Sequence, residues 1–303
     1  MAVAMGSLRA SLSALFLSSL LLLPGRGAAS TAEPLLVAAT IFPAADIARR
    51  VAGPGIRVLQ VLPAGASPHT FDLTPGQVRE LQKARLIFKI GGVDDWIDGV
   101  AESLPRAAVV TLKKNVPLLP FPGDGHGPGG GHEPDFDPHY WLSAANGIIM
   151  ARNIADALIA LAPSGAPVFE ANYRGLAAEL ARLHAEIKGE LSALKSNKMI
   201  VFHDGWRYFA AAYGLEIVAV FQASPGREPA PRDIRDLYAV ARKYEVRAVF
   251  AEPQLPRDSL EPLVRDLGLK MAVLDPLGGA SAGDSYAGLL RRAADTVRDA
   301  LGR

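Results

Sequence analysis

Three of the six histidines in this 303-residue chain stand where an open α/β fold offers side chains to a ligand. His69 lies in Pro63-Ala64-Gly65-Ala66-Ser67-Pro68-His69-Thr70-Phe71, just after the β-rich run Arg57–Leu62. His203 follows the apolar run Lys198–Phe202, and His139 sits in Asp137-Pro138-His139-Tyr140-Trp141 ahead of a helical segment. Asp275 follows a fourth run, Lys270–Leu274, and precedes Pro276. Ligands of open α/β sheets bind beyond the carboxyl ends of the strands. The prolines before His69 and His139 pre-set the backbone that carries each imidazole. Three imidazoles and one carboxylate make a tetrahedral zinc donor set. The chain has no Cys, so any metal is held by nitrogen and oxygen. None of the spacing is local, and a histidine near a strand end is as readily a hydrogen-bonded structural residue. Spacing alone leaves both readings open.

The elements that must position these residues follow from alternation. Leu35–Ala39, Arg57–Leu62, Leu86–Ile90 and Ala108–Leu112 read as buried strands, with helices at Ala45–Ala52 and Pro75–Lys83 between them. That pattern predicts parallel βαβ units. A Gly/Pro-rich loop interrupts at 120–138, and a helix is expected over Ser143–Leu161. Leu176, Leu180, Leu183, Ile187, Leu191 and Leu194 are then spaced by three and four, the stripe of one long helix. Strands recur at Lys198–Phe202, Glu216–Phe221, Arg247–Glu252 and Lys270–Leu274, with helices near Ile234–Tyr244 and Asp258–Leu267. The expected architecture is two βα lobes of Rossmann-like type joined by one long rigid helix. Its segments are an N-terminal lobe over 30–167, a linking helix over 168–195 and a C-terminal lobe over 196–303.

Arg9, the apolar run Leu12–Leu23 and the small residues Gly27, Ala28 and Ala29 describe a secretory signal peptide over 1–29. Its removal takes two of the 32 basic residues and none of the 31 acidic ones, leaving a near-neutral exported chain with no pull towards nucleic acid. No second apolar run reads as long enough to span a membrane. Without Cys there is no lipidated N-terminal residue, which fits a freely diffusing periplasmic protein.

From Leu35 to about Leu301 the chain resembles the periplasmic zinc-binding proteins of ABC importers, the cluster A-I metal-binding family with manganese-binding relatives. The resemblance rests on motifs in order. They are Ala39-Thr40-Ile41-Phe42-Pro43, Pro63 through Phe71, Trp96, Asp137 through Ser143, Phe202-His203-Asp204, Phe250-Ala251-Glu252-Pro253 and Leu274-Asp275-Pro276-Leu277. It implies that His69, His139, His203 and Asp275 bind metal in a cleft between the lobes, with delivery to a membrane permease powered by an ATPase, from a monomer. Manganese-type relatives generally carry a carboxylate where this chain has His203, and imidazole suits Zn²⁺ better than Mn²⁺. Zinc is therefore the expected cargo, with manganese or iron as the alternative. Relatives often carry a His- and acid-rich loop at 120–138. Here it holds His126 and His132, which are expected to capture zinc as an auxiliary site. Glu252 is expected to orient a ligand histidine. The departures from the family pattern are Ala144 in place of a common Pro, and Gly91-Gly92 in place of Asn-Gly.

Two other classes compete. Gly279-Ala280-Ser281-Ala282-Gly283 matches a hydrolase nucleophile elbow, but Pro276 breaks the strand before it and no His follows His203. Four protein ligands would also close a zinc site to catalysis. An adhesin or chelate-binding module is the third class, because some relatives have been described that way. The expectation is a carrier and not an enzyme.

Overall fold

The structure is a computed structural model and describes residues 1–2, 35–120, 136–222, 230–254, 260–281 and 283–302. The signal segment, His126 and His132 lie outside the described residues.

The first lobe runs β1 (Leu35–Ala39), α1 (Phe42–Ala52), β2 (Ile56–Gln60), α2 (Pro75–Leu81), β3 (Leu86–Lys89), α3 (Asp98–Ala101) and β4 (Ala108–Thr111). Its sheet is parallel throughout, in the order β2-β1-β3-β4. After α4 (Ala144–Leu161) and α5 (Ala166–Leu191) the second lobe repeats the arrangement. Here β5 (Lys198–His203), α6 (Arg207–Tyr213), β6 (Glu216–Gln222), α7 (Pro231–Lys243), β7 (Ala248–Ala251), α8 (Glu261–Leu267) and β8 (Lys270–Val273) give the order β6-β5-β7-β8, again parallel. The chain closes with α9 (Tyr286–Leu301).

The linking helix α5 starts at Ala166, with Pro167 in its first turn, and ends at Leu191. It buries the predicted stripe Leu176, Leu180, Leu183, Ile187 and Leu191. Leu194 lies beyond the helix and is only partly buried. α4 differs from its sequence reading, being an 18-residue helix apolar enough by length and composition to cross a membrane. Half of it is buried within the protein, and Met150, Ile154 and Leu158 join the core between α1 and α5. One apolar cluster takes in α1, α4, α5, α6 and α9 and one face of both sheets, so residues 34–303 pack as one unit.

Buried hydrogen bonds lock the lobes to one another. Trp141 Nε1 donates to the Pro276 carbonyl (2.7 Å), and Tyr286 N donates to Asp46 Oδ2 (2.8 Å). Tyr208 donates its hydroxyl to the Asp137 carbonyl (2.9 Å) while accepting from Leu119 N (2.8 Å). Each buried bond of this kind is strongly missed when one partner is removed, because the other is left unsatisfied. In the first lobe, Asp94 fills the crevice between the ends of β1 and β3. It accepts from Ile90 N and Gly91 N, both at 2.7 Å, and from the Thr40 hydroxyl. The turn there needs positive φ at both Gly91 (89°) and Gly92 (91°), which glycine adopts without strain.

Candidate metal centre

His69 sits in a single 3-10 turn, Pro68–Thr70, on the loop after β2. His139 precedes a second such turn, Tyr140–Leu142, which leads into α4. His203 is the last residue of β5. These elements bring the three imidazoles together across the lobe boundary, tilted or edge-on to one another. The Nε2 atoms of His139 and His69 are 3.4 Å apart, and those of His203 and His139 are 3.3 Å apart. Among the described residues, this is the group of metal-ligating side chains whose donor atoms all lie within 4.8 Å of one another.

What aims each ring is a carboxylate behind it. His139 Nδ1 lies 2.9 Å from Asp137 Oδ1, which also accepts the His139 backbone N–H at 2.9 Å. His203 Nδ1 lies 2.7 Å from Glu252 Oε1, to which Trp206 Nε1 donates at 3.0 Å. An ionised carboxylate only accepts, so both rings carry their proton on Nδ1 and leave the Nε2 lone pair facing the cluster. Asp137 is fully buried, and His139, His203 and Glu252 are nearly so.

Burial together with the neighbouring rings holds His69 and His139 well below the usual imidazole range. His69 nonetheless keeps an exposed side, so it is the ring through which the site meets solvent. Burial alone would also lower His203, but the charge and hydrogen bond of Glu252 outweigh it and raise this ring above its ordinary value. Asp137 is pushed up to about 6 by burial, against the His139 N–H bond and Arg207, which pull it down.

The spacing has a simple meaning. In a tetrahedral zinc site with Zn–N of about 2.0–2.1 Å, two donor nitrogens stand roughly 3.3–3.4 Å apart. The two Nε2 separations match that edge. The cavity bounded by Ser67, His69, His139, Trp141, His203 and Glu252 holds about 20 Å³. That is room for one water-sized occupant beside the three rings, which suits a bare ion.

Of the residues expected from sequence, His69, His139 and His203 are brought together, and Glu252 stands behind His203. Asp275 is not in the cluster: its Oδ1 accepts from Gln254 Nε2 (2.8 Å) and Leu277 N (3.0 Å). Sequence reasoning missed Asp137, although a carboxylate two residues before a histidine, in Asp-Pro-His, was a local signal. It also missed Trp206 and Gly205. A Cβ on Gly205 would fall 2.6 Å from His203 Cε1 and 3.3 Å from His139 Cδ2, so glycine leaves these rings their space. Gly279 and Ser281, in the candidate elbow, donate their backbone N–H groups to Asp284 in a loop that precedes α9.

Comparison with known proteins identifies the family. The zinc-binding protein AdcA of Streptococcus pyogenes serotype M1 is 27% identical over 283 residues, covering 86% of this chain. The chain spans only about half of that protein, 55% of its length. The manganese ABC transporter substrate-binding lipoprotein PsaA of Streptococcus anginosus is 27% identical, with 95% of this chain and 97% of the relative covered. A zinc-bound crystal structure of a ZnuA deletion mutant superposes with a TM-score of 0.79 at 27% identity, covering 89% of this chain and 99% of that one. The sequence profile of ZnuA, the periplasmic component A of the zinc-uptake complex, matches residues 37–300. The chain belongs to this family of periplasmic zinc-uptake components.

Proposed function

We propose that this protein captures a single zinc ion in the periplasm and hands it to a membrane permease driven by an ATPase, with no chemistry of its own. The observation that carries the reading is the convergence of three imidazoles within 4.8 Å, with two Nε2 separations at the edge length of a zinc tetrahedron. Zinc exchanges its water ligands for His69, His139 and His203, and Asp137 and Glu252 keep two of those rings in the metal-binding tautomer. Asp275 stays on Gln254 while the three imidazoles hold the ion. Three imidazoles favour zinc over manganese, which prefers oxygen donors. A carrier reading is favoured over a hydrolase by membership of a family of zinc-uptake components. It acts as a monomer.

Elemental analysis of untagged protein beside His203→Ala tests this. One tightly held zinc per chain, lost or much weakened in the variant, is expected. A parent that takes up no zinc after reloading refutes the function, and one loaded with manganese or iron instead refutes the cargo.

A further inference from the structure

The end of β7 touches the candidate centre twice. Glu252, the residue after the strand, holds His203, and two residues later Gln254 holds Asp275. The Asp275 carboxylate takes both hydrogen bonds on Oδ1, from Gln254 Nε2 at 2.8 Å and from Leu277 N at 3.0 Å. The second bond is a local turn two residues along the same loop; the first reaches across from another strand end. Gln254 lines the cavity with the three histidines, whereas Asp275 does not line it and is not part of the ligand cluster. The other end of the Gln254 amide, Oε1, is buried without a hydrogen-bond partner among the described residues. Its hydrogen bond to Asp275 is therefore the polar contact that fixes the amide.

We infer that Gln254 is a specificity-determining residue of this site, which withholds the Asp275 carboxylate from the bound cation and so favours zinc over manganese. The inference rests on the transport reading above. With Asp275 held back, an incoming ion meets three imidazoles. Zinc accepts such a set readily. Manganese binds imidazole more weakly and depends on oxygen donors, so it loses more when the Asp275 carboxylate must first be detached from a charge-assisted hydrogen bond. Gln254 touches no ion in this scheme and acts only through Asp275.

The test is the ratio of zinc to manganese affinity, measured by competition with a chromophoric chelator for parent, Gln254→Leu, Asp275→Ala and the double variant. Gln254→Leu is expected to raise manganese affinity about tenfold more than zinc affinity, and to change nothing in the Asp275→Ala background. Gln254→Glu keeps the size of the side chain and sets a second carboxylate against Asp275. It is expected to move the ratio in the same direction, and it serves if the leucine variant does not fold. An unchanged or increased zinc preference overturns the inference, as does an effect that survives loss of Asp275. A parent that binds neither metal removes the transport reading and this inference together. A parent that binds zinc with a ratio insensitive to Gln254 removes this inference alone.

Discussion

Replacing Glu252 by Gln tests how the protein tunes its third imidazole. The carboxylate accepts from His203 Nδ1 at 2.7 Å and from Trp206 Nε1 at 3.0 Å. The amide keeps an acceptor oxygen and loses the charge. Hydrogen bonds to charged groups contribute about 1.5–3 kcal/mol and neutral ones about 0.5–1.5, so each bond weakens by about 1 kcal/mol. The Trp206 bond is the same in the empty and loaded protein and cancels in the affinity. The His203 bond does not cancel, because a metal-bound imidazole is the stronger donor. At about pH 8, where protons no longer compete, the variant should bind zinc roughly fivefold more weakly.

At lower pH a second effect opposes the first. In the empty parent Glu252 raises His203 above the ordinary imidazole value, so as pH falls a proton occupies this ring before it would occupy a free histidine, and zinc must displace it. Without the carboxylate charge, burial lowers the ring against only the weaker pull of Asp204 and Asp137, and the competition starts at a lower pH. The gap between the two proteins should therefore close as pH falls towards about 6. The assay is chelator competition for zinc across this range. An unchanged affinity at high pH, or a gap constant with pH, would refute the reasoning.

Two further outcomes concern the lobe boundary. Trp141→Phe removes the buried donor of the Pro276 carbonyl, whose bond is 2.7 Å, and should lower unfolding stability by about 1–3 kcal/mol in denaturant titration; an unchanged midpoint would mean that water replaces the indole. Tyr208→Phe leaves Leu119 N and the Asp137 carbonyl unpaired and should cost stability on the same scale. In that variant zinc affinity should fall less than in Glu252→Gln, because Asp137 Oδ1 still holds His139.

Much of the fold was legible because parallel strands buried on both faces read as short apolar runs, and because the leucine stripe of α5 repeats at the helical period. The C-terminal helix was legible too but went unread: Leu289, Leu290, Ala293, Ala294, Val297 and Leu301 recur at helical spacing and are buried. α6 was harder, since seven residues give under two turns in which to show a period. At the site, the histidines stood out through residue type and position at strand or helix ends. Their partners stood out less: Glu252 was expected to orient a ligand histidine, without a sign of which one. Glu252 lies 49 residues from His203 and Gln254 lies 21 from Asp275, pairings made by neighbouring strand ends and invisible to local spacing. The sequence motif that carries Asp275 also gave no sign that its carboxylate is held by another residue in the empty protein.

The most direct measurement is anomalous diffraction at the zinc edge from a crystal of the zinc-loaded protein. One strong peak about 2.0–2.1 Å from the Nε2 atoms of His69, His139 and His203 is the expected result. A zinc ion bound elsewhere on the chain, with these three rings unoccupied, would contradict it.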